Sequence, residues 1–297
     1  MAEVAIGRVV EVIAGFYHVA LGPDRMVMCR ARGRLKGPEG IYPGDRVRVL
    51  LLENEPGMGR VEEVLPRESL LTRPAVANVK WVVLVTPLAQ PRPQSLLLDR
   101  LLVLTFHAGL EPVIVWNKAD LAADEESLQL IDVYRAAGYT TVIASAATGQ
   151  GMDELAACLQ DGVAVLAGPS GAGKSSILNR LVPTAGQATS EVSRKSGRGR
   201  HTTRSCRLCP VGQGWLADTP GFSRLDLPLM EPRELPPAYP EFEEPASRCR
   251  YDGCLHASEP GCAVREAVES GQISSLRYEQ YRRLLDEVTE AYRNRYR

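Results

Sequence analysis

The sequence predicts a multidomain chain: an N-terminal OB-fold β-barrel, a central α/β domain on a parallel sheet, and a mainly helical C-terminal domain assembled around a metal. Three observations predict it. Residues 1–66 are short apolar runs broken by Gly, Pro and Asp, the pattern of a small antiparallel barrel. Residues 72–226 contain a Gly-rich stretch, Gly168 to Ser175, between a short apolar run and a helical one, and strand–loop–helix is the context that stretch requires. Residues 227–297 hold Cys249-x4-Cys254-x-His256-x5-Cys262, four soft ligands within fourteen residues.

In the first segment Val4, Ile6, Val10 and Val12 fall on one strand face, interrupted by Arg8. Val47, Val49 and Leu51 share another, with Arg46 and Arg48 opposite, as period-two alternation demands. Arg30, Arg32, Arg34 and Lys36 alternate with Ala31, Gly33, Leu35 and Gly37, so an extended backbone would put four cations on one side. Two readings stand here, a groove that binds nucleic acid and a solvated edge that discourages aggregation. No aromatic alternates with these cations, which favours RNA backbone or structured RNA over base stacking.

The central segment holds the motifs of a P-loop GTPase in exchanged order. Val113 to Trp116 reads as a strand ending in Asn117-Lys118-Ala119-Asp120. The Asp120 carboxylate can accept both the N1–H and the N2–H2 of guanine, and adenine leaves it unpaired. Asn117 braces the loop, and the Lys118 stem can cover the face of the base. One strand later, Ser145 and Ala146 can present backbone N–H groups to guanine O6. Only then does Gly168-Pro169-Ser170-Gly171-Ala172-Gly173-Lys174-Ser175-Ser176 follow. Its backbone N–H groups curl around phosphate oxygens, Lys174 reaches the β- and γ-phosphates, and the Ser175 hydroxyl ligates Mg2+. Gly214 to Ala217 leads into Asp218-Thr219-Pro220-Gly221. There Asp218 can hold Mg2+ through water, and the Gly221 N–H can face the γ-phosphate. An ordinary GTPase starts with the phosphate loop, so this one is circularly permuted. Rewiring is tolerated because all these loops sit at the C-terminal edge of one sheet.

Between the phosphate motifs, residues 193–204 are basic, Gly-rich and without apolar periodicity, as a switch loop would be. Thr202 or Thr203 can supply the second hydroxyl to Mg2+ when the γ-phosphate is bound. The residue after Asp-x-x-Gly is Phe222, which cannot orient the attacking water as a Gln there would. His201, beside the switch threonines, is the candidate for that task.

Three cysteines and one histidine make a closed tetrahedral set, a structural Zn2+ site with no position left for a reactive water. The flanking stretch from Glu231 to Pro260 is rich in Pro and Glu and reads as poor in core formers, so metal is expected to supply its folding energy. Leu276, Gln280, Tyr281, Leu284, Leu285 and Val288 have helical spacing, followed by Arg293, Arg295 and Arg297. Cys206-x2-Cys209 lacks a second pair and reads as inert thiols. His18 and His107 are lone and read as structural.

The chain has 297 residues and a formal net charge of −1, which gives no global nucleic-acid signal and makes any basic surface local. No apolar run reaches the length of a membrane span, and Met1-Ala-Glu-Val opens no signal-peptide pattern. A cytoplasmic, monomeric protein is expected. Seven cysteines in a reducing compartment argue against a disulfide framework.

The barrel, the permuted motifs and the Cys/His module together resemble the ribosome small-subunit-dependent GTPase A family over nearly the whole chain. The likeness rests on Asn117 to Asp120, Gly168 to Ser176, Gly199-Arg200-His201-Thr202-Thr203, Asp218 to Gly221 and the zinc spacing. It implies a bacterial GTPase that binds the small ribosomal subunit and its rRNA through barrel and zinc module. Such a protein acts late in subunit maturation, hydrolysing GTP to GDP when docked. The resemblance turns the barrel reading towards RNA. Arg204-Ser205-Cys206-Arg207-Leu208-Cys209 departs from the family pattern after the His-Thr-Thr run. Two other classes remain: an RNA-binding assembly chaperone that senses GTP or GDP with little turnover, and a metal-delivery GTPase, against which the closed Cys3His set argues.

Overall fold

In the computed structural model the described residues are 3–22, 25–31, 40–72, 75–160, 162–182, 206–218 and 226–295. The chain divides into two compact units, one of residues 1–82, 152–166 and 174–222, the other of 83–151, 167–173 and 223–297.

The first unit opens with β1 (Val4–Ile13), β2 (Phe16–Ala20), β3 (Met26–Ala31), β4 (Arg46–Leu51) and β5 (Met58–Val64). They hydrogen-bond in the order β1-β2-β3-β5-β4, and β1 also pairs with β4, which closes a five-stranded barrel. Val9, Val19, Cys29, Val47, Val49 and Val61 are fully buried inside it. The face of β1 differs from the sequence expectation. Val9 pairs with Val19 but Glu11 with His18, so the register shifts between them. That bulge re-phases the strand. Gly7 and Val9 turn inward, while Val4 is 53% and Ile6 49% exposed. Gly7 is needed there, since a Cβ would stand 2.5 Å from Val19 Cγ1.

A hairpin of β6 (Leu70–Thr72) and β7 (Ala75–Ala77) follows the barrel. Next come β8 (Val79–Pro87), α1 (Ser95–His107), β9 (Glu111–Asn117), α2 (Glu125–Ala136), β10 (Thr141–Ile143), α3 (Met152–Cys158), β11 (Val163–Ala167), α4 (Lys174–Leu181), β12 (Arg207–Val211) and β13 (Gly214–Asp218). In the first unit β11 runs parallel to β13, β12 is antiparallel to β13, and β12 meets β1 at Arg207 opposite Glu11. In the second unit β9 lies between β8 and β10, and β10 runs parallel to it, Val142 opposite Val115. Such parallel strands are buried on both faces, and Val113 to Trp116 and Val163 to Val165 are accordingly all 0% exposed.

The C-terminal stretch is not poor in core formers. Three one-turn 3-10 helices, Pro232–Glu234, Pro236–Ala238 and Pro240–Phe242, each begin with proline, whose fixed φ suits a first helical position. They turn Leu235, Ala238, Tyr239 and Phe242 into one core with Val264 and Ala267 of α5 (Ala263–Glu269) and Tyr281, Leu284, Leu285 and Val288 of α6 (Ser275–Asn294). The helical spacing read from the sequence holds for α6, with one addition. Arg277 is 1% exposed, ion-paired to Asp99 of α1 and to Glu241 at 2.7 Å. Its guanidinium lies 4.6 to 5.4 Å from the ring centroids of Tyr134, Tyr139 and Tyr239.

Candidate functional site

β9 delivers Asn117 at its end with 2% of its surface exposed. Its carboxamide faces two loops at once. Nδ2 donates to the Ala172 carbonyl at 2.8 Å, and Oδ1 accepts the Ala146 N–H at 3.1 Å. Lys118 takes a left-handed φ of 66°, and its ammonium donates to the Gln90 carbonyl. The Ala119 N–H bonds to the Ala144 carbonyl at 3.0 Å, so the turn is tied to the end of β10. Asp120 is exposed, and its Oδ1 accepts the Ser145 hydroxyl at 2.5 Å. Ser145 is 0% exposed, and its Oγ also accepts the Thr148 N–H at 3.1 Å.

Sequence reasoning valued Ser145 and Ala146 for their amides. Both amides donate within the protein, Ser145 to the Gln150 carbonyl at 3.0 Å and Ala146 to Asn117. It missed the Ser145 hydroxyl, which holds one oxygen of Asp120. The signal was available, as a serine one strand beyond an acid at a sheet edge is within reach of it.

The phosphate loop leaves β11 at Gly168. Its φ is 139°, and a Cβ there would stand 2.1 Å from the Val85 carbonyl oxygen. Gly173, with φ 97°, has Asn117 Nδ2 2.2 Å from where its Cβ would be. Only glycine satisfies both demands, and the second explains why the loop can close onto Asn117. Ala172 is buried, and its N–H bonds the Pro169 carbonyl at 3.3 Å. Ser170, Gly171, Ser175 and Ser176 are exposed. α4 begins at Lys174, whose ammonium is held below its usual pKa by burial. Asp218 ends β13, half-buried, and burial raises its carboxyl pKa against the opposing effect of Arg207. β11 and β13 are parallel, with Val165 opposite Ala217. His201, Thr202, Thr203, Gly221 and Phe222 lie outside the described residues, as do Arg32, Arg34 and Lys36.

Arg30 is exposed on β3. Its guanidinium stands 5.1 Å from the ring centroid of Phe16 on β2. An aromatic absent from the linear pattern thus arrives from the neighbouring strand. Of the paired thiols, burial raises Cys209, and it pushes Cys206 up to about 12 with help from Asp218; neither is poised as a thiolate at neutral pH.

The ligand atoms of Cys249, Cys254, His256 and Cys262 all lie within 4.8 Å of one another. His256 Nδ1 is 3.6 Å from Cys249 Sγ and 3.4 Å from Cys262 Sγ, and those two sulfurs are 4.0 Å apart. A tetrahedron with metal–sulfur bonds of about 2.3 Å has edges near these lengths, so the set fits a metal ion. Its loop is held from both sides. The Glu259 carboxylate accepts the N–H groups of Leu255, Ala257 and Ser258 at 2.8 to 3.0 Å. From α6, Tyr278 and Tyr281 donate to the carbonyls of His256 and Leu255 at 2.7 and 2.5 Å. Among the described residues no helix is long and apolar enough to cross a membrane.

Comparison with known proteins agrees with this geometry. A family model described as RsgA GTPase matches residues 64–228, and one described as RsgA N-terminal domain matches residues 6–58. The small ribosomal subunit biogenesis GTPase RsgA of Moorella thermoacetica is 49% identical over 284 residues, 95% of this chain and 97% of that one. The protein of the same name from Caldanaerobacter subterraneus is 43% identical over 294 residues, 98% of each chain. Among solved structures, YloQ, described as a circularly permuted GTPase, superposes with a TM-score of 0.82 at 31% identity, covering 97% of this chain and 96% of that one. YjeQ from Thermotoga maritima gives 0.79 at 35% identity, covering 96% and 99%.

Proposed function

This chain belongs to the RsgA GTPase family, and from that premise we propose that it binds the small ribosomal subunit, assists its late maturation, and leaves it when GTP is hydrolysed. The observation that carries the reading is the Asn117 carboxamide, which joins the loop that bears Asp120 to the Ser145–Ala146 loop and the phosphate loop. In this assignment Asp120, oriented by Ser145, pairs with the guanine edge. Lys118 and Ala119 line the base, with the Ser145–Ala146 loop beside it. Gly168 to Gly173 with Lys174, Ser175 and Ser176 cradle the phosphates, Gly221 faces the γ-phosphate, and Ser175 and Asp218 hold Mg2+. One of Thr202 and Thr203 completes that shell, and His201 orients the attacking water. Electrostatic stabilisation of the transferring phosphoryl group does the rest.

Zn2+ is the metal assigned to Cys249, Cys254, His256 and Cys262, because three thiolates and an imidazole suit it. Once bound it is structural, fixing the loop that α6 supports. rRNA contacts fall to Arg30, Arg32, Arg34 and Lys36. The protein works in the cytoplasm as a monomer. The test is GTP turnover by the full chain alone, with purified small subunits and with large ones. Stimulation by small subunits only is expected. Equal stimulation by both would remove the subunit assignment, and no stimulation alongside tight binding would leave an RNA-binding chaperone that senses nucleotide.

A further inference from the structure

The barrel carries a like-charged pair. β1 and β4 run antiparallel with Arg8 directly opposite Arg46, a placement that puts Cβ atoms about 5 Å apart and destabilises when the charges match. Other arginines nearby are matched: Arg48 with Glu63 at 2.9 Å, Arg25 with Glu3 at 3.0 Å, Arg67 with Asp45 at 2.7 Å, and Arg207 with Glu11 at 4.0 Å. Among the described residues neither Arg8 nor Arg46 has an ion pair. Arg8 donates to the Gly44 carbonyl at 3.1 Å. Glu68 is the carboxylate whose field reaches it, and burial together with Arg46 outweighs that field and lowers the Arg8 pKa.

The two guanidinium groups line a pocket of about 250 Å3, together with Ile6, the backbone of Gly7 and Gly22, and Trp215 of β13. Trp215 is half-buried and, among the described residues, the only aromatic lining it. Unmatched cations call for an anion, and an indole beside them calls for a flat apolar partner; a nucleotide offers both, since every base has a π-face. The exposed Ile6 and Val4 extend the apolar side along β1.

We infer that Arg8, Arg46 and Trp215 form a subsite for one nucleotide of a single-stranded RNA segment, its phosphate between the arginines and its base against the indole. The inference rests on the RNA-binding reading above and places a second contact apart from the Arg30 to Lys36 segment. It also lies on the strand that ends in Asp218, three residues further along.

The experiment uses the full chain and a fluorescein-labelled oligouridylate about ten nucleotides long, within the usual span of an OB fold, followed by anisotropy across a salt series. Arg46→Ala should weaken binding about tenfold and flatten the salt slope by about 0.7, one counterion for a single strand. Trp215→Leu should weaken it about tenfold at unchanged slope, and Trp215→Phe should restore most of that loss. Fluorescent GDP should bind all variants as it binds the parent, which controls for folding. Parent affinity in Arg46→Ala or in Trp215→Leu would overturn the subsite, as would inorganic phosphate competing as well as the oligomer. A parent that ignores the oligomer altogether would instead overturn the RNA reading on which the subsite depends.

Discussion

Replacing Arg277 by Leu should be among the most damaging single changes in the second unit. Arg277 is the cation between two carboxylates, Asp99, with 0% of its side chain exposed, and Glu241, with 9%. Removing one partner of a buried ion pair costs about 3–5 kcal/mol, because the other charge stays desolvated. A domain's whole stability is about 5–15 kcal/mol. Among the described residues Asp99 Oδ2 has no hydrogen-bond partner. Burial raises the Asp99 pKa to about 6 despite Arg277 and the Tyr134 hydroxyl. A carboxyl raised in the folded state contributes stability that is present below its unfolded pKa near 4 and lost as pH rises through about 6. Without Arg277 that pKa climbs further, and the cost of the substitution falls where Asp99 is protonated. Urea unfolding by near-ultraviolet circular dichroism should show the full loss at about pH 7.5 and a smaller one at about pH 5. Arg277→Leu combined with Asp99→Asn should recover part of it. A loss under about 1 kcal/mol, or one equal at both pH values, would refute the argument.

Ser145→Ala removes the hydroxyl that orients Asp120 and should weaken GDP about tenfold, one charge-assisted hydrogen bond, while sparing fold; calorimetry showing parent affinity would separate Ser145 from base reading. Cys254→Ser should lower zinc content by elemental analysis and expose the Leu255–Ala257 amides to hydrogen exchange, with GDP affinity kept because the metal ligands lie outside the nucleotide motifs. His201→Ala should bind nucleotide and small subunits normally yet lose most of the subunit-stimulated turnover. Stimulation equal to the parent's would leave water positioning to the ribosome.

Strand ends and motif loops were readable because each motif is a contiguous run at the end of a buried strand, and contiguity survives into the fold. The Cys/His set was readable for the same reason. What the sequence hid is pairwise and distant. The bulge between Val9 and Glu11 depends on the partner strand, so period-two alternation misplaces Val4 and Ile6. Phe16 meets Arg30 only through β2–β3 pairing. Leu235, Tyr239 and Phe242 look sparse among prolines until the 3-10 turns bring them to one side. Arg277 reads as polar surface on α6, because its two acids lie 178 and 36 residues away.

Asn117 and Ala172 are 55 residues apart and joined through one carboxamide. That bond makes no reference to which loop the ribosome translated first. Motif order is therefore free to drift without harming nucleotide recognition, and what selection can act on is adjacency. In this chain the strand bearing Asp218 precedes the C-terminal helices rather than a base-reading loop.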